Sequence, residues 1–300
     1  MQSIAIGIMA YNEERNIAHL LDSILAQSAG DRITNITVVA SGCTDRTGEI
    51  VSEYCLRDPR IHLVEEAERG GKVRAINAFF TVVAEPIVLV SSADLIYGTR
   101  TVEELVAPLE DARIGMVGAH PVPMNSKNTF VGFTVNLMWQ LHHEVALIEP
   151  KMGELVAFRQ VFKGLNPLTL ADEVQIEHGI RSVGYEVAYA PNAIVYNRGP
   201  ETIREFIAQR TRWYVLNLQI RRRHNIPVST MQLSTVWRGA RSYIKRERPR
   251  IDWVLGAVLL EVFCRMKGAF VYRFGSVART PLWRQQTTTK VLLTGGPRST

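Results

Sequence analysis

The first half of the chain alternates short apolar runs with segments of helical period. Residues 3–9 (Ser-Ile-Ala-Ile-Gly-Ile-Met) read as a buried strand, and Ile17, Leu20, Leu21, Ile24 and Leu25 share one face of a helix over residues 13–27. Residues 36–40 form a second predicted strand. Thr44 or Asp45 then opens a helix carrying Ile50, Val51 and Tyr54. Strands over 61–64 and 86–90 flank a helix over 72–83. Strands joined by helices of this length predict right-handed crossovers and a mainly parallel α/β sheet. Ligands bind such sheets beyond the carboxyl ends of their strands.

The second half is more mixed. Residues 128–149 look helical, and the neighbouring His142 and His143 point apart on such a helix, which disfavours joint metal ligation. Residues 187–189 and 193–196 look like later strands, and Pro200 begins another helix. Beyond Pro227 the pattern predicts helices over 229–246 and 252–274, then a loose tail of 20 residues. The last helix has Leu255, Leu259, Val262, Phe263, Met266 and Phe270 on one face. Its apolar core is too short to span a bilayer, so it either packs on the rest of the chain or lies in a membrane interface.

Composition adds two constraints. Apolar residues make up 46% and charged residues 21%, as in an ordinary globular protein. The three cysteines, Cys43, Cys55 and Cys264, are far apart and odd in number, which predicts a reducing compartment without a disulfide framework. No basic, cleavable leader is visible. The net charge of +6 is unevenly spread: residues 198–300 hold 20 Lys and Arg against 5 Asp and Glu, and the remainder holds 15 against 24. A basic final third predicts an anionic partner: membrane headgroups, diphosphates or nucleic acid.

The segments that follow the first four strands carry the candidate chemistry. They are Ala10-Tyr11-Asn12-Glu13-Glu14, Ser41-Gly42-Cys43-Thr44-Asp45, residues 65–72 ending in Lys72, and Ser91-Ser92-Ala93-Asp94. Each is polar and contains a carboxylate, as a ligand-lined rim requires. Neither a Walker A loop nor a G-x-G-x-x-G turn is present, which disfavours P-loop and dinucleotide redox chemistry. Downstream, Asp172-Glu173 precedes Gln209-Arg210-Thr211-Arg212-Trp213, a Q-x-x-R-W pattern. A carboxylate pair can take a proton from an alcohol, a guanidinium can hold phosphate oxygens bidentately, and an indole can stack on a sugar.

Taken in order, these motifs resemble those of the family 2 nucleotide-sugar glycosyltransferases, over roughly residues 3–215. The resemblance implies a GT-A fold, a Rossmann-type mixed, mainly parallel sheet flanked by helices, here with a basic C-terminal helical extension. It implies a catalytic domain over 1–226, with a nucleotide-binding half to about 115 and an acceptor half after it, and an extension over 227–300. It implies inverting transfer from a nucleotide-diphospho-sugar. Donor binding falls to Ala10, Tyr11, Asn12, Glu13, Ser41, Asp45, Lys72, Asn77, Ser92, Ala93 and Asp94. Asp94 is the expected ligand of Mg²⁺ or Mn²⁺, Glu173 the expected base with Asp172 beside it, and Arg212 the main brace of the diphosphate. Gly153, Glu154, Gln209, Arg210 and Trp213 are expected at the acceptor or diphosphate.

Three departures stand out. Ala40 and Ser41 occupy the place of the family's base-reading aspartate, Ser92 replaces the first D-x-D carboxylate, and the acidic pair reads Asp-Glu rather than Glu-Asp. The expected acceptor is lipid-linked, at the cytoplasmic face of the membrane, with the protein peripheral there and no nucleic-acid partner. A soluble acceptor and a catalytically impaired relative are the alternatives.

Overall fold

A computed structural model describes residues 2–167, 172–224, 241, 243 and 250–274. The described residues form two compact units: residues 2–121 with 152–198, and residues 122–151 with 199–274.

The first unit is built on strands β1 (Ile4–Ala10), β2 (Ile33–Ser41), β3 (Ile61–Glu66), β4 (Ile87–Ser92), β5 (Ile96–Tyr97), β6 (Ile114–Pro123), β7 (Leu155–Arg159) and β8 (Glu186–Asn197). They form one sheet in the order β3-β2-β1-β4-β7-β6-β8-β5. The block β3-β2-β1-β4 is parallel, as the βαβ pattern requires. Beyond β4 the direction changes: β7 is antiparallel to β4 and to β6, and β5 to β8. The sheet is therefore mixed.

Its helices are α1 (Ile17–Leu25), α2 (Thr47–Arg57), α3 (Lys72–Phe80), α4 (Thr101–Val106) and α6 (Asp172–Ser182). Central strands buried on both faces read as unbroken apolar runs, and β1 shows why. Ile4, Ile6 and Ile8 pack with Ile17, Leu20 and Leu21 of α1, while Ala5 and Met9 pack with Ile76 and Phe79 of α3. Gly7 lies on the α3 side, where an added Cβ would stand 2.4 Å from the Phe79 ring. That close approach excludes any side chain larger than hydrogen. The helix expected from residue 13 begins at Ile17. Asn12 takes a left-handed backbone (φ 53°), and Asn16 donates its side-chain N–H to Glu13 Oε2 at 2.8 Å. A polar turn thus fills the space between β1 and α1.

The second unit holds α5 (Phe130–Ala146), α7 (Ile203–His224) and α8 (Ile251–Phe274). Thr129 caps α5 by accepting from the Gly132 N–H. Val131, Val135, Phe206 and Cys264 form one small core shared by the three helices. Small residues let α7 and α8 approach closely: a Cβ on Gly268 would lie 2.7 Å from Tyr214. The helix bearing Q-x-x-R-W thus groups with the C-terminal helix, not with the sheet. The expected helix over 229–246 and the tail over the last 20 residues lie outside the described residues, apart from isolated positions.

Candidate active site

The first unit's candidate residues collect at the carboxyl edge of the parallel strands. After β1, Tyr11 stacks under a guanidinium, with Arg69 Cζ 3.8 Å from its ring centroid. Asn12 reaches the loop after β2: its carboxamide donates to Thr44 Oγ1 at 3.2 Å and accepts from the Thr44 N–H at 2.8 Å. The Glu13 N–H donates to Thr47 Oγ1 at 2.8 Å. Asp45 accepts from the Thr47 N–H at 3.0 Å at the start of α2, and from the Glu14 N–H at 3.1 Å. Ser41, at the end of β2, accepts from the Gly70 N–H at 3.1 Å. Asn77 is bonded twice to the Leu165 backbone, at 2.8 and 2.7 Å. These side chains, expected at the donor, bind the rim loops to one another. They fix the shape of the edge on which Ala10, Ser92 and Ala93 also lie.

Chemistry concentrates at Lys72, the first residue of α3, held there by Gly71 with φ 86°. Its Nζ is 2.7 Å from Asp172 Oδ2 and 3.4 Å from Glu173 Oε1, both in the first turn of α6. Burial alone pulls the Lys72 pKa down, but Asp172, Glu173 and Glu154 outweigh it and hold the ammonium above the ordinary lysine range. Burial raises Asp94, with Lys72 opposing. Burial also pushes Glu154 up to about 7, with Asp94 reinforcing and Lys72 opposing. Glu173 is raised by burial and then by Asp172. Four carboxyl groups from three separate segments therefore sense one ammonium. Gly153 precedes Glu154 at the entry to β7, where β7 pairs against β4 with Leu155 opposite Ser91.

Sequence reasoning missed Asn197, whose carboxamide donates to Glu154 Oε1 at 3.3 Å, and Arg69, which covers Tyr11. Asn197 ends the last long strand, and only its position there could have marked it. No group of three or more His, Cys, Asp or Glu side chains placed to hold a metal occurs among the described residues. Asp94 and Glu154, close enough to influence each other electrostatically, carry hard oxygen donors of the type that Mg²⁺ and Mn²⁺ prefer.

In the second unit, Gln209, Arg210, Arg212 and Trp213 lie on α7, all partly buried. Arg210 grips Glu261 of α8 through Nε (3.0 Å) and Nη2 (2.7 Å), and Glu261 also accepts from Arg265 Nε at 2.9 Å. The Arg210 guanidinium lies 4.5 Å from the Trp213 ring centroid, and Lys151 Nζ 5.7 Å from it. Arg210, expected beside the diphosphate, is thus engaged in joining α7 to α8. Burial lowers the Arg212 pKa from the ordinary arginine range.

Known proteins share the family and the fold. Residues 5–156 match the family described as Glycosyl transferase family 2, and residues 87–285 match Glycosyl transferase family group 2. The probable glycosyltransferase YdaM of Bacillus subtilis is 26% identical over 232 residues, 71% of this chain and 54% of that protein. An N-acetylglucosaminyltransferase of Rhizobium meliloti is 20% identical over 235 residues, 71% of this chain and 55% of that protein. The chain thus spans about half the length of these relatives. Among solved structures, the mannosyltransferase PcManGT from Pyrobaculum calidifontis, in complex with GDP-Man and Mn²⁺, superposes with a TM-score of 0.64 at 20% identity, covering 92% of this chain and 88% of that one. With a family match across half of its length and that fold, the chain belongs to glycosyl transferase family 2, with a GT-A architecture.

Proposed function

We propose that the protein transfers a sugar from a nucleotide-diphospho-sugar to an acceptor hydroxyl in one inverting displacement. The observation that carries this reading is the convergence of Asp94, Glu154, Asp172 and Glu173 on Lys72. Asp172 is nearly buried and lies closest to the ammonium, so it anchors Lys72. Glu173, with a third of its side chain exposed, is the base. Its raised pKa makes it a stronger proton acceptor than an ordinary carboxylate, and Lys72 opposes part of that rise. The acceptor oxygen bonds to the anomeric carbon as its proton passes to Glu173. The anomeric C–O bond to the diphosphate breaks, and its electron pair leaves with the nucleoside diphosphate.

The rim loops around Tyr11, Asn12, Asp45 and Ser41 are the proposed nucleotide cradle. Asp94, with the donor's own phosphate oxygens, would hold Mg²⁺ or Mn²⁺, which would neutralise charge on the leaving group. PcManGT, whose fold this chain shares, was solved with GDP-Man and Mn²⁺. The proposed acceptor is lipid-linked and the proposed location peripheral, at the inner membrane face, which the basic final third supports.

Glu173→Gln tests the base directly. Transfer should fall by about 10³-fold or more while donor binding persists, and wild-type turnover would remove the assignment. A thermal-shift panel of UDP-, GDP-, dTDP- and CDP-sugars, with and without Mn²⁺, identifies the donor; stabilisation by none of them would count against the nucleotide-sugar reading.

A further inference from the structure

Helix α8 has two apolar faces. The first, carrying Ala257, Cys264 and Gly268, is buried in the second unit and kept small so that α7 can approach. The second is built from large side chains and faces outward. Leu255, Leu259, Phe263, Met266, Phe270 and Phe274 recur every three or four residues along one stripe, and each is between 52% and 70% exposed. A surface helix that has buried one face normally turns a polar one to water. This stripe runs for about 30 Å, at about 1.5 Å rise per residue.

Charge indicates what covers it. On the outward side, Lys267 and Arg273 are exposed, while the acid there, Asp252, is paired with Arg250 at 2.6 Å. The sequence on both sides is strongly basic: residues 221–250 hold nine Lys and Arg against one acid, and residues 275–300 hold four and no acid. An apolar stripe between two basic flanks is complementary to an anionic bilayer interface, with the side chains in the acyl boundary and the cations at the headgroups. No helix among the described residues is long and apolar enough to cross a membrane, so α8 would lie flat.

We propose that the outward stripe of α8 is the membrane-docking surface of this protein, seated on an anionic lipid bilayer. This deepens the lipid-acceptor reading above by naming the surface that brings the enzyme to its acceptor. The ion pair of Glu261 with Arg210 then joins the docked helix to the Q-x-x-R-W helix.

The test is co-sedimentation of the full chain with vesicles of phosphatidylcholine containing about a third phosphatidylglycerol, across a salt series, beside pure phosphatidylcholine. Binding should favour the anionic vesicles and weaken with salt. Leu259→Gln/Phe263→Gln/Met266→Gln should reduce binding at least tenfold without changing the melting temperature, because the three side chains are exposed. Lys267→Glu/Arg273→Glu should act mainly at low salt. Wild-type binding by the triple variant, or no binding at low salt, would overturn the inference. Light scattering addresses a second copy: a dimer that the triple variant dissolves, without vesicle binding, also overturns it. Stabilisation by a nucleotide-sugar in the absence of vesicles is read separately, so a failure of docking leaves the transferase reading standing, and the reverse.

Discussion

Lys72 Nζ and Asp172 Oδ2 lie 2.7 Å apart, an ion pair that fastens the start of α3 to the start of α6. The side chains are 29% and 7% exposed, so removing the cation leaves carboxylates that water cannot fully solvate. Lys72→Met should therefore destabilise the fold at neutral pH by about 3 kcal/mol, the lower end of the range for breaking a buried pair. The same variant should lose most transfer activity. Chemical denaturation at pH 7 and pH 5 checks this: protonating the abandoned carboxyls at pH 5 should recover part of the loss.

Glu154 gives a pH dependence with a definite sign. Its folded pKa of about 7 stands above the ordinary 4.5, so the folded state holds the proton more tightly than the unfolded chain. The contribution to stability is complete below about pH 4.5, declines as pH rises through the folded value, and is gone above it. Glu154→Gln removes that decline. The variant should gain on the order of 3 kcal/mol relative to the parent between pH 4.5 and pH 8, read from denaturation midpoints.

Asp94→Asn separates the cation from the nucleotide. Under the proposed function, Mn²⁺ adds to donor-induced stabilisation of the parent protein, whereas the variant should respond to donor equally with and without Mn²⁺. An unchanged increment in the variant would move the metal to other ligands.

Gly7→Ala probes the close contact between β1 and α3. The new Cβ meets the Phe79 ring at 2.4 Å, inside any normal contact, so the fold should lose about 1–3 kcal/mol. Adding Phe79→Leu should restore part of that loss, measurable as a double-mutant cycle.

Glu261→Gln tests the junction within the second unit. Arg210 and Arg265 share this carboxylate, and both raise the stability of its ionised form, so its pKa lies low despite burial. The variant should lower the melting temperature by several degrees, while Arg210→Lys, which forfeits the bidentate grip, should lose a comparable amount.

The parallel half of the sheet was legible because β1 and β4 are buried on both faces and open with unbroken apolar runs, and β2 is buried from Ile36 onward with Thr37 as its one polar interruption before Ser41. The antiparallel half was not. β6 ends in His120-Pro121-Val122-Pro123, a sequence that reads as loop, and β5 is two residues long. Strands 187–189 and 193–196 were separated by Pro191-Asn192, yet the structure carries β8 straight through them. In the candidate site, residue types drew attention to the strand-end loops but not to what each side chain touches. Asn12, Asp45 and Asn77 look like ligand contacts in sequence, whereas in the fold Asn12 and Asp45 tie the loops after β1 and β2 together and Asn77 ties α3 to the Leu165 backbone. The partnership of Lys72 with Asp172 and Glu173 depends on crossovers that no local pattern encodes.

Because β7 runs against β4, the beginning of one strand sits beside the finish of the other, with Leu155 opposite Ser91. The spacing between the Asp94 and Glu154 segments is thus set by rungs of backbone hydrogen bonds, not by the 59 residues that join them. Within that stretch β5, α4 and β6 belong to the sheet unit, so only the segment after β6, α5 included, can change in length without touching the rungs between β4 and β7. A single framework could in this way serve many acceptors.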